Sequence, residues 1–247
     1  MLYELYERRL VSEIDRTRVP RHIGILLDGN RRWAKALGSP AEHGHQKGAD
    51  KISEVLEWCE EMGVEVVTLW MLSLDNLNRD PQEVAQLEEI IASTVEQLSV
   101  VGQWQVRVMG ALDQLPTSFA DRLSNVDASG SGPGMVVNVA IGYSGREEIV
   151  HAVKSLIKIK TAEGVSMDGL AASLTVDDIT EHLYTRGLPD PDLLIRTSGE
   201  QRLSGFLLWQ SAHSEYYFCE TYWPDFRRVD FLRALRDYAQ RERRMGR

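Results

Sequence analysis

Long apolar runs are missing from this sequence. The longest, Val66 to Leu72, falls far short of the roughly 20 residues that cross a bilayer as a helix. The opening stretch MLYELYERRLVSEIDR is too charged for a signal peptide. A soluble, cytoplasmic protein is expected, with at most peripheral membrane association. Cysteine is scarce: Cys59 and Cys219 are the two present, and neither belongs to a CxxC pair or a Cys/His cluster, which excludes a disulfide framework and a zinc site. Positive charge is in deficit, with 28 Lys and Arg against 37 Asp and Glu and a net charge of −9. Nucleic-acid partners are therefore not expected, because such surfaces carry a basic stripe that replaces phosphate counterions. There is no internal repeat, no low-complexity tract, and neither a Walker loop nor a dinucleotide fingerprint.

What is present is an alternation of short apolar runs with amphipathic stretches of helical period, the pattern of a mostly parallel sheet covered by helices. The fold class is α/β, and the 247 residues read as one domain with a helical arm over 1–20. Predicted strands are His22 to Asp28, Val64 to Leu72, Trp104 to Met109, Met135 to Ile141, Asp192 to Arg196 and Gly205 to Trp209. Most are near-continuously apolar, as strands buried on both faces require. Predicted helices are Arg31 to Leu37, His45 to Met62, Pro81 to Val100, Thr117 to Asn125, Arg146 to Ile159 and Arg228 to Arg244. Asp80 before Pro81 reads as a helix cap. Asp127 to Gly134 (DASGSGPG) reads as a loop. Asp177 and Asp178 follow Thr175 and read as a helix start, where acids are favoured.

The sharpest chemical signal is HIGILLDGNRRW, from His22 to Trp33. A buried strand ends at Asp28, turns at Gly29 and enters a helix through Asn30, Arg31 and Arg32. Ligands gather at the carboxyl ends of strands in open α/β sheets, and a helix start offers unpaired N–H groups to an anion. Two readings stand side by side. Either the turn cradles a phosphate, with a divalent cation between it and Asp28, or Asp28 and Asn30 merely cap the helix.

Five segments in order resemble the cis-prenyltransferases, the family of undecaprenyl diphosphate synthase and the short-chain Z-farnesyl diphosphate synthases. They are HIGILLDGNRRWAKALG; Gly44-His45-Gln46-Lys47-Gly48-Ala49; the run from Thr68 to Arg79 (TLWMLSLDNLNR); the run from Asp192 to Gln210 followed by Ser214-Glu215-Tyr216-Tyr217-Phe218; and Arg241 to Gly246, with an Arg244-x-Gly246 ending. The resemblance runs from about residue 20 to the end of the chain. It implies a six-stranded sheet enclosing a hydrophobic tunnel, and an Mg2+-dependent transferase that condenses isopentenyl diphosphate with an allylic diphosphate. It further implies that Asp28 holds magnesium and is catalytic, and that Gly29, Asn30, Arg31, Arg32 and Trp33 surround the allylic substrate. His45, Ser73, Leu74, Asp75, Leu77 and Arg79 would line the site, and Asn76 would assist deprotonation. Arg196, Arg202, Leu203 and Ser204 would bind isopentenyl diphosphate. Glu215 would be a second metal carboxylate, contributed within the chain or by the partner of a homodimer.

Three positions depart from the family pattern. Ala41 stands where many members carry a phosphate-binding arginine in the segment 39–44, Asp75 replaces a glutamate, and Leu77 replaces a tryptophan. A fourth, Met71, occupies a place that is small in long-chain enzymes. As a tunnel wall it would stop growth near a short product, about fifteen carbons, because a close-packed wall cannot admit another isoprene unit without strain; as core filler it would have no such effect. The helix from Pro81 presents Val84, Leu87, Ile91, Val95 and Leu98 on one apolar face, beside the same tunnel or simply against the sheet. The alternatives are a long-chain synthase, a non-catalytic subunit of a prenyltransferase complex, and a nucleotide- or phosphate-processing α/β enzyme.

Overall fold

The computed structural model describes residues 2–128 and 133–241. Six strands form one sheet: β1 (His22–Leu26), β2 (Val66–Ser73), β3 (Gln105–Met109), β4 (Val136–Tyr143), β5 (Leu193–Arg196) and β6 (Glu215–Phe218). Their order is β3-β4-β2-β1-β5-β6, and every pairing is parallel. Parallel pairing requires crossover connections, and the helices that supply them cover both faces. The α-helices among the described residues are α1 (Leu2–Glu13), before β1; α2 (Asn30–Ala36), α3 (Ala41–Glu61), α4 (Pro81–Val101), α5 (Thr117–Ala128), α6 (Gly145–Ala162), α7 (Met167–Ser173) and α8 (Val176–Thr180), between strands; and α9 (Arg228–Gln240), after β6.

Strand alternation divides the interior in two. Ile23, Ile25, Val67, Leu69, Val137, Val139, Leu193 and Ile195 face a large core completed by α1, α3, α4, α5 and α9. Their neighbours Leu26, Ala140 and Leu194 face a smaller core with Tyr143, Phe206 and Leu207. On that second face a polar rung crosses three strands near their amino ends. The buried His22 ring donates through Nδ1 to the Pro189 carbonyl at 2.7 Å, and its Nε2 accepts from Thr68 Oγ1 at 2.8 Å. Thr68 Oγ1 in turn accepts from Asn138 Nδ2 at 3.0 Å. With both ring nitrogens engaged the imidazole stays neutral, and burial pushes its pKa down to about 4.

Five of the predicted strands form as expected; the sixth does not. Gly205 to Trp209 is a series of turns, and the sheet is completed by Glu215–Phe218 instead. The physical reason lies in the backbone, since Ser204, Gly205 and Leu207 have φ of 52°, 89° and 45°, values an extended strand cannot contain. Phe206 and Leu207 are fully buried all the same, because they plug the smaller core from a loop. The helix expected from His45 begins four residues earlier: α3 starts at Ala41, so Ala41 is a first-turn helical residue. The turns of α7 were not anticipated, whereas α8 is capped as expected by Thr175, whose side chain accepts from Asp178 N at 3.2 Å. The expected loop from Asp127 loses its first two residues to α5. Residues 129–132 and Arg244-Met245-Gly246 lie outside the described residues.

Candidate active site

All strands point the same way, so the chain segments that follow β1, β2 and β5 emerge along one edge of the sheet and wall a single cavity of 680 Å³. The first wall is the turn after β1. Gly29 has φ 108°, and a Cβ there would lie 2.7 Å from Tyr222 Cδ1, so the turn requires glycine on both conformational and steric grounds. This Gly29 is the residue at the start of α2, and no side chain caps the helix. The capping reading of Asp28 and Asn30 is thereby set aside, and Asp28 spends its carboxylate elsewhere. Its Oδ2 accepts from Arg196 Nη2 at 2.8 Å and its Oδ1 from Arg32 Nη2 at 3.3 Å. Burial raises the Asp28 pKa, but Arg196, Ser198 and Arg32 outweigh it and hold the carboxyl below its ordinary value.

The second wall is the loop after β5. Arg196 is buried, and its Nη1 donates to Ser204 Oγ at 3.0 Å and to the Arg202 carbonyl. A buried guanidinium is costly unless its donors are paired in fixed directions. Here it ties the end of β5 both to Asp28 and to the loop it precedes. Arg32 reaches across to Ser198 Oγ at 2.7 Å and Glu200 Oε1 at 3.1 Å, and Glu200 also pairs with Arg202. Ser198 and Ser204 both have positive φ, 78° and 52°, strain of the kind found where a backbone is held for a purpose.

The third wall follows β2. Ser73 and Asn76 cap a 3-10 turn over Leu74–Asn78 reciprocally, with Asn76 N donating to Ser73 Oγ and Ser73 N to Asn76 Oδ1, each at 3.2 Å. Asp80 then caps α4, accepting from the backbone N–H of Gln82 at 3.0 Å and Glu83 at 3.2 Å. Glu83 on that first turn is a shared counter-ion: its Oε1 lies 3.2 Å from Arg79 Nη1, 3.8 Å from Arg31 Nε and 3.5 Å from His45 Nε2. The last is an electrostatic contact only, since His45 Nε2 is buried without a hydrogen-bond partner. Burial lowers the His45 pKa despite Glu83, so the ring is neutral at physiological pH.

The glycines of the second segment explain how α2 and α3 meet. A Cβ on Gly44 would stand 2.1 Å from the Asn30 carbonyl oxygen, and one on Gly48 would stand 2.5 Å from Asn30 Oδ1. Both positions let α3 press directly against the helix start that carries Asn30.

Of the residues anticipated from sequence, the structure gathers Asp28, Gly29, Asn30, Arg31, Arg32, His45, Met71, Ser73, Asp75, Asn76, Arg79, Arg196, Arg202 and Ser204 around the cavity. Five others stand apart from its walls. Trp33 stacks on His43 with ring centres 5.5 Å apart, Leu77 and Leu203 pack against the two cores, and Leu74 opens the 3-10 turn. Glu215 is farthest: it pairs with Leu193 at the amino end of the sheet, opposite Asp28, and holds Arg241 at 2.6 Å. Within one chain it cannot share a metal ion with Asp28. Sequence reasoning missed Lys35, Glu200 and Trp70 as cavity residues. Lys35 was legible as the residue four after Arg31, on the same helix face. From α4 the cavity takes Leu87, Ile90 and Ile91, while Val95 and Leu98 belong to the core.

Met71 and Trp70 both line the cavity although they are consecutive. The pairing of β2 with β4 skips a residue here, with Trp70 opposite Ala140 and Leu72 opposite Ile141. Such a bulge leaves Met71 as the extra residue and re-aims the strand end.

The cavity thus has an ionic end, built by Asp28 and the arginines, and an apolar end, built by Ile52, Met71, Leu87, Ile90 and Ile91. That division suits a ligand with an anionic head and a hydrocarbon tail. A family model described as "Putative undecaprenyl diphosphate synthase" matches residues 26–246. The chain belongs to the cis-prenyltransferase family. It is 58% identical over 248 residues to the (2Z,6E)-farnesyl diphosphate synthase of Thermobifida fusca, covering 99% of this chain and 97% of that one. It is 53% identical over 252 residues to the short-chain Z-isoprenyl diphosphate synthase of Mycobacterium leprae, covering 99% and 95%. The crystal structure of lavandulyl diphosphate synthase from Lavandula x intermedia, in complex with dimethylallyl diphosphate, superposes with a TM-score of 0.84 at 34% identity, covering 94% of this chain and 100% of that one. As a cis-prenyltransferase the chain is an isoprenyl transferase acting on diphosphate substrates. Among the described residues no helix is long and apolar enough to cross a membrane.

Proposed function

We propose that this chain condenses isopentenyl diphosphate with geranyl or dimethylallyl diphosphate to give a short Z-prenyl diphosphate of about fifteen carbons. The observation that carries this reading is the Asp28–Arg196 pair in a cavity that Met71 and the α4 side chains Leu87, Ile90 and Ile91 also line. The names of the relatives from Thermobifida fusca and Mycobacterium leprae agree with it.

In this reading two anionic heads share the ionic end. Gly29, Asn30, Arg31 and Arg32 hold the allylic diphosphate, with His45 and Arg79 behind it. Arg196, Arg202 and Ser204 hold isopentenyl diphosphate. The allylic C1–O bond breaks with its electron pair leaving on the diphosphate, whose growing charge the guanidinium groups stabilise in place. The double-bond pair of isopentenyl diphosphate forms the new bond to that carbon, and two separately fixed heads keep the reacting carbons in line. A proton is then lost from the adjacent carbon to restore a double bond. Asn76 cannot be the base, as a neutral amide. With Oδ1 accepting from Ser73 N, it offers N–H donors that position a diphosphate oxygen to take the proton.

A magnesium ion suits the donor set. Among the described residues no group of three or more His, Cys, Asp and Glu side chains could hold a metal, but Mg2+ is commonly held by one or two carboxylates together with substrate phosphates and waters. Asp28 is the carboxylate in position for it. When bound, the ion would neutralise charge on the leaving diphosphate. Glu215 can enter such a site only from the partner of a cytoplasmic homodimer, and Arg244-x-Gly246 is a further candidate for contribution across that interface.

Purified protein incubated with magnesium, isopentenyl diphosphate and each primer in turn tests the reading by product length and double-bond geometry. A Z,E- or Z-configured product of about fifteen carbons is expected. Products of about fifty carbons would replace it with the long-chain reading.

A further inference from the structure

The side chain of Trp70 has no place in the assignments above, yet its geometry is the most specific on the apolar side of the site. It stacks on Phe206 with ring centres 5.2 Å apart and planes 8° from parallel. Tyr143 stands at 89° to Trp70 and 83° to Phe206, with its centre 6.1 Å from each. A ring equidistant from both members of a stack lies beside it, against their edges. One face of the indole is therefore covered by Phe206, and the opposite face is covered by neither ring. Trp70 is half-buried and lines the cavity, and its Nε1 is buried without a hydrogen-bond partner.

The position of this face is fixed by the loop beside it. Phe206 follows Ser204 by two residues, and Ser204 accepts from Arg196. The stack thus lies on the same side of the sheet as the cations that hold isopentenyl diphosphate in the reading above, on which the present inference rests. The bulge at Met71 lets both Trp70 and Met71 line the cavity, Trp70 from the side of the smaller core and Met71 from the side of the larger one.

We propose that the indole face of Trp70 turned away from Phe206 is the aromatic wall against which isopentenyl diphosphate reacts. As the double-bond pair leaves to form the new carbon–carbon bond, the internal carbon of the isopentenyl group becomes electron-poor and tertiary until the adjacent proton departs to a diphosphate oxygen. An indole face attracts positive charge through its quadrupole, most strongly when water is excluded. Such attraction is realised only as charge develops, so it accelerates the step without tightening substrate binding. Trp70 is in this sense a catalytic residue, since it touches the reacting atoms.

Site-specific replacement of Trp70 by mono-, di- and trifluorotryptophan tests this, because fluorine drains the ring face while scarcely changing its shape. The readouts are the single-turnover rate with both substrates, the dissociation constant of isopentenyl diphosphate alone and the melting temperature. The expected result is a rate that falls about two- to threefold with each fluorine, with binding and melting unchanged. A rate independent of fluorination overturns the proposal and leaves the parent reading intact, since Z-products still form. Absence of Z-prenyl product from the unmodified enzyme removes the parent reading and this inference with it. Trp70→Phe and Trp70→Leu give a second comparison: a drop of about tenfold or more for leucine with phenylalanine intermediate supports the wall, and equal rates for the two count against it.

Discussion

Arg196 Nη2 donates to Asp28 Oδ2 at 2.8 Å, and with the Thr197 hydroxyl, which donates to the Asp28 carbonyl at 2.7 Å, this pair fastens the carboxyl end of β5 to that of β1. The two strands are adjacent and in register, so the pair needs no loop movement to form. Both charges are anchored by other groups, Asp28 by Arg32 and Arg196 by Ser204. The carboxylate is consequently ionised and directed before any substrate arrives.

Replacing Asp28 with Ala should cut kcat by roughly two to three orders of magnitude, the usual scale for loss of an electrostatic element in a dry site. It also leaves Arg196 buried beside a missing partner, at a cost of about 3 kcal/mol in stability. Steady-state rates alongside urea unfolding separate the two effects, and a variant with near-normal turnover would contradict the assignment.

Met71→Ala should lengthen the product by opening the apolar end of the cavity, with little change in the rate of the first condensation. Chain-length analysis by chromatography decides it. A product distribution identical to the parent's would mean that Met71 is filler and that another residue sets the limit.

Asn76→Ala is expected to lower turnover far more than substrate affinity, because its N–H donors act on the proton-accepting oxygen. Comparison of kcat with the dissociation constants of both diphosphates checks this; equal losses in both would point to a binding role alone.

Gly48→Ala should lower both stability and activity, since its methyl would meet Asn30 Oδ1 at 2.5 Å and Trp223 Cδ1 at 3.0 Å. Overpacking of this kind costs about 1–3 kcal/mol, and here the displaced group belongs to the phosphate-binding helix start. The expected signature is a lowered melting temperature together with a raised KM for the allylic substrate.

Acid should weaken the fold through His22. Its folded pKa of about 4 lies below the ordinary 6.5, so between those values the unfolded chain binds the proton and the folded chain does not. The neutral ring's contribution is complete above pH 6.5 and is lost as pH falls toward 4, by on the order of 3 kcal/mol in total. Urea midpoints across this window should show the slope, and His22→Gln should remove it while lowering stability at neutral pH.

Much of this architecture was written in the order of residues. Apolar runs bounded by turn signals placed β1 to β5, and Asp80-Pro81 placed the start of α4 to the residue. The sixth strand was misjudged because Gly205 to Trp209 is as apolar as a buried strand, while Glu215-Tyr216-Tyr217-Phe218 is polar at its first position and only partly buried. Hydrophobicity reports burial, and Phe206 and Leu207 are buried by a loop whose left-handed backbone no apolar pattern reveals. The ionic residues were legible through their motifs, yet Glu83 as a common counter-ion to Arg31, Arg79 and His45 was not, because Arg31 and His45 come from helices far from it in sequence. Trp70 was hidden for a related reason: strand alternation points it away from Met71, and the bulge that brings both to the cavity depends on pairing with β4.

The cavity joins two walls of unlike origin, arginine-bearing loops at one end and the inner face of α4 with Met71 at the other. The machinery that breaks and makes bonds is thus carried by other side chains than the ruler that measures the hydrocarbon. A change of product length then calls for exchanges at Ile52, at Met71 and on the inner face of α4, without renegotiating the ionic apparatus.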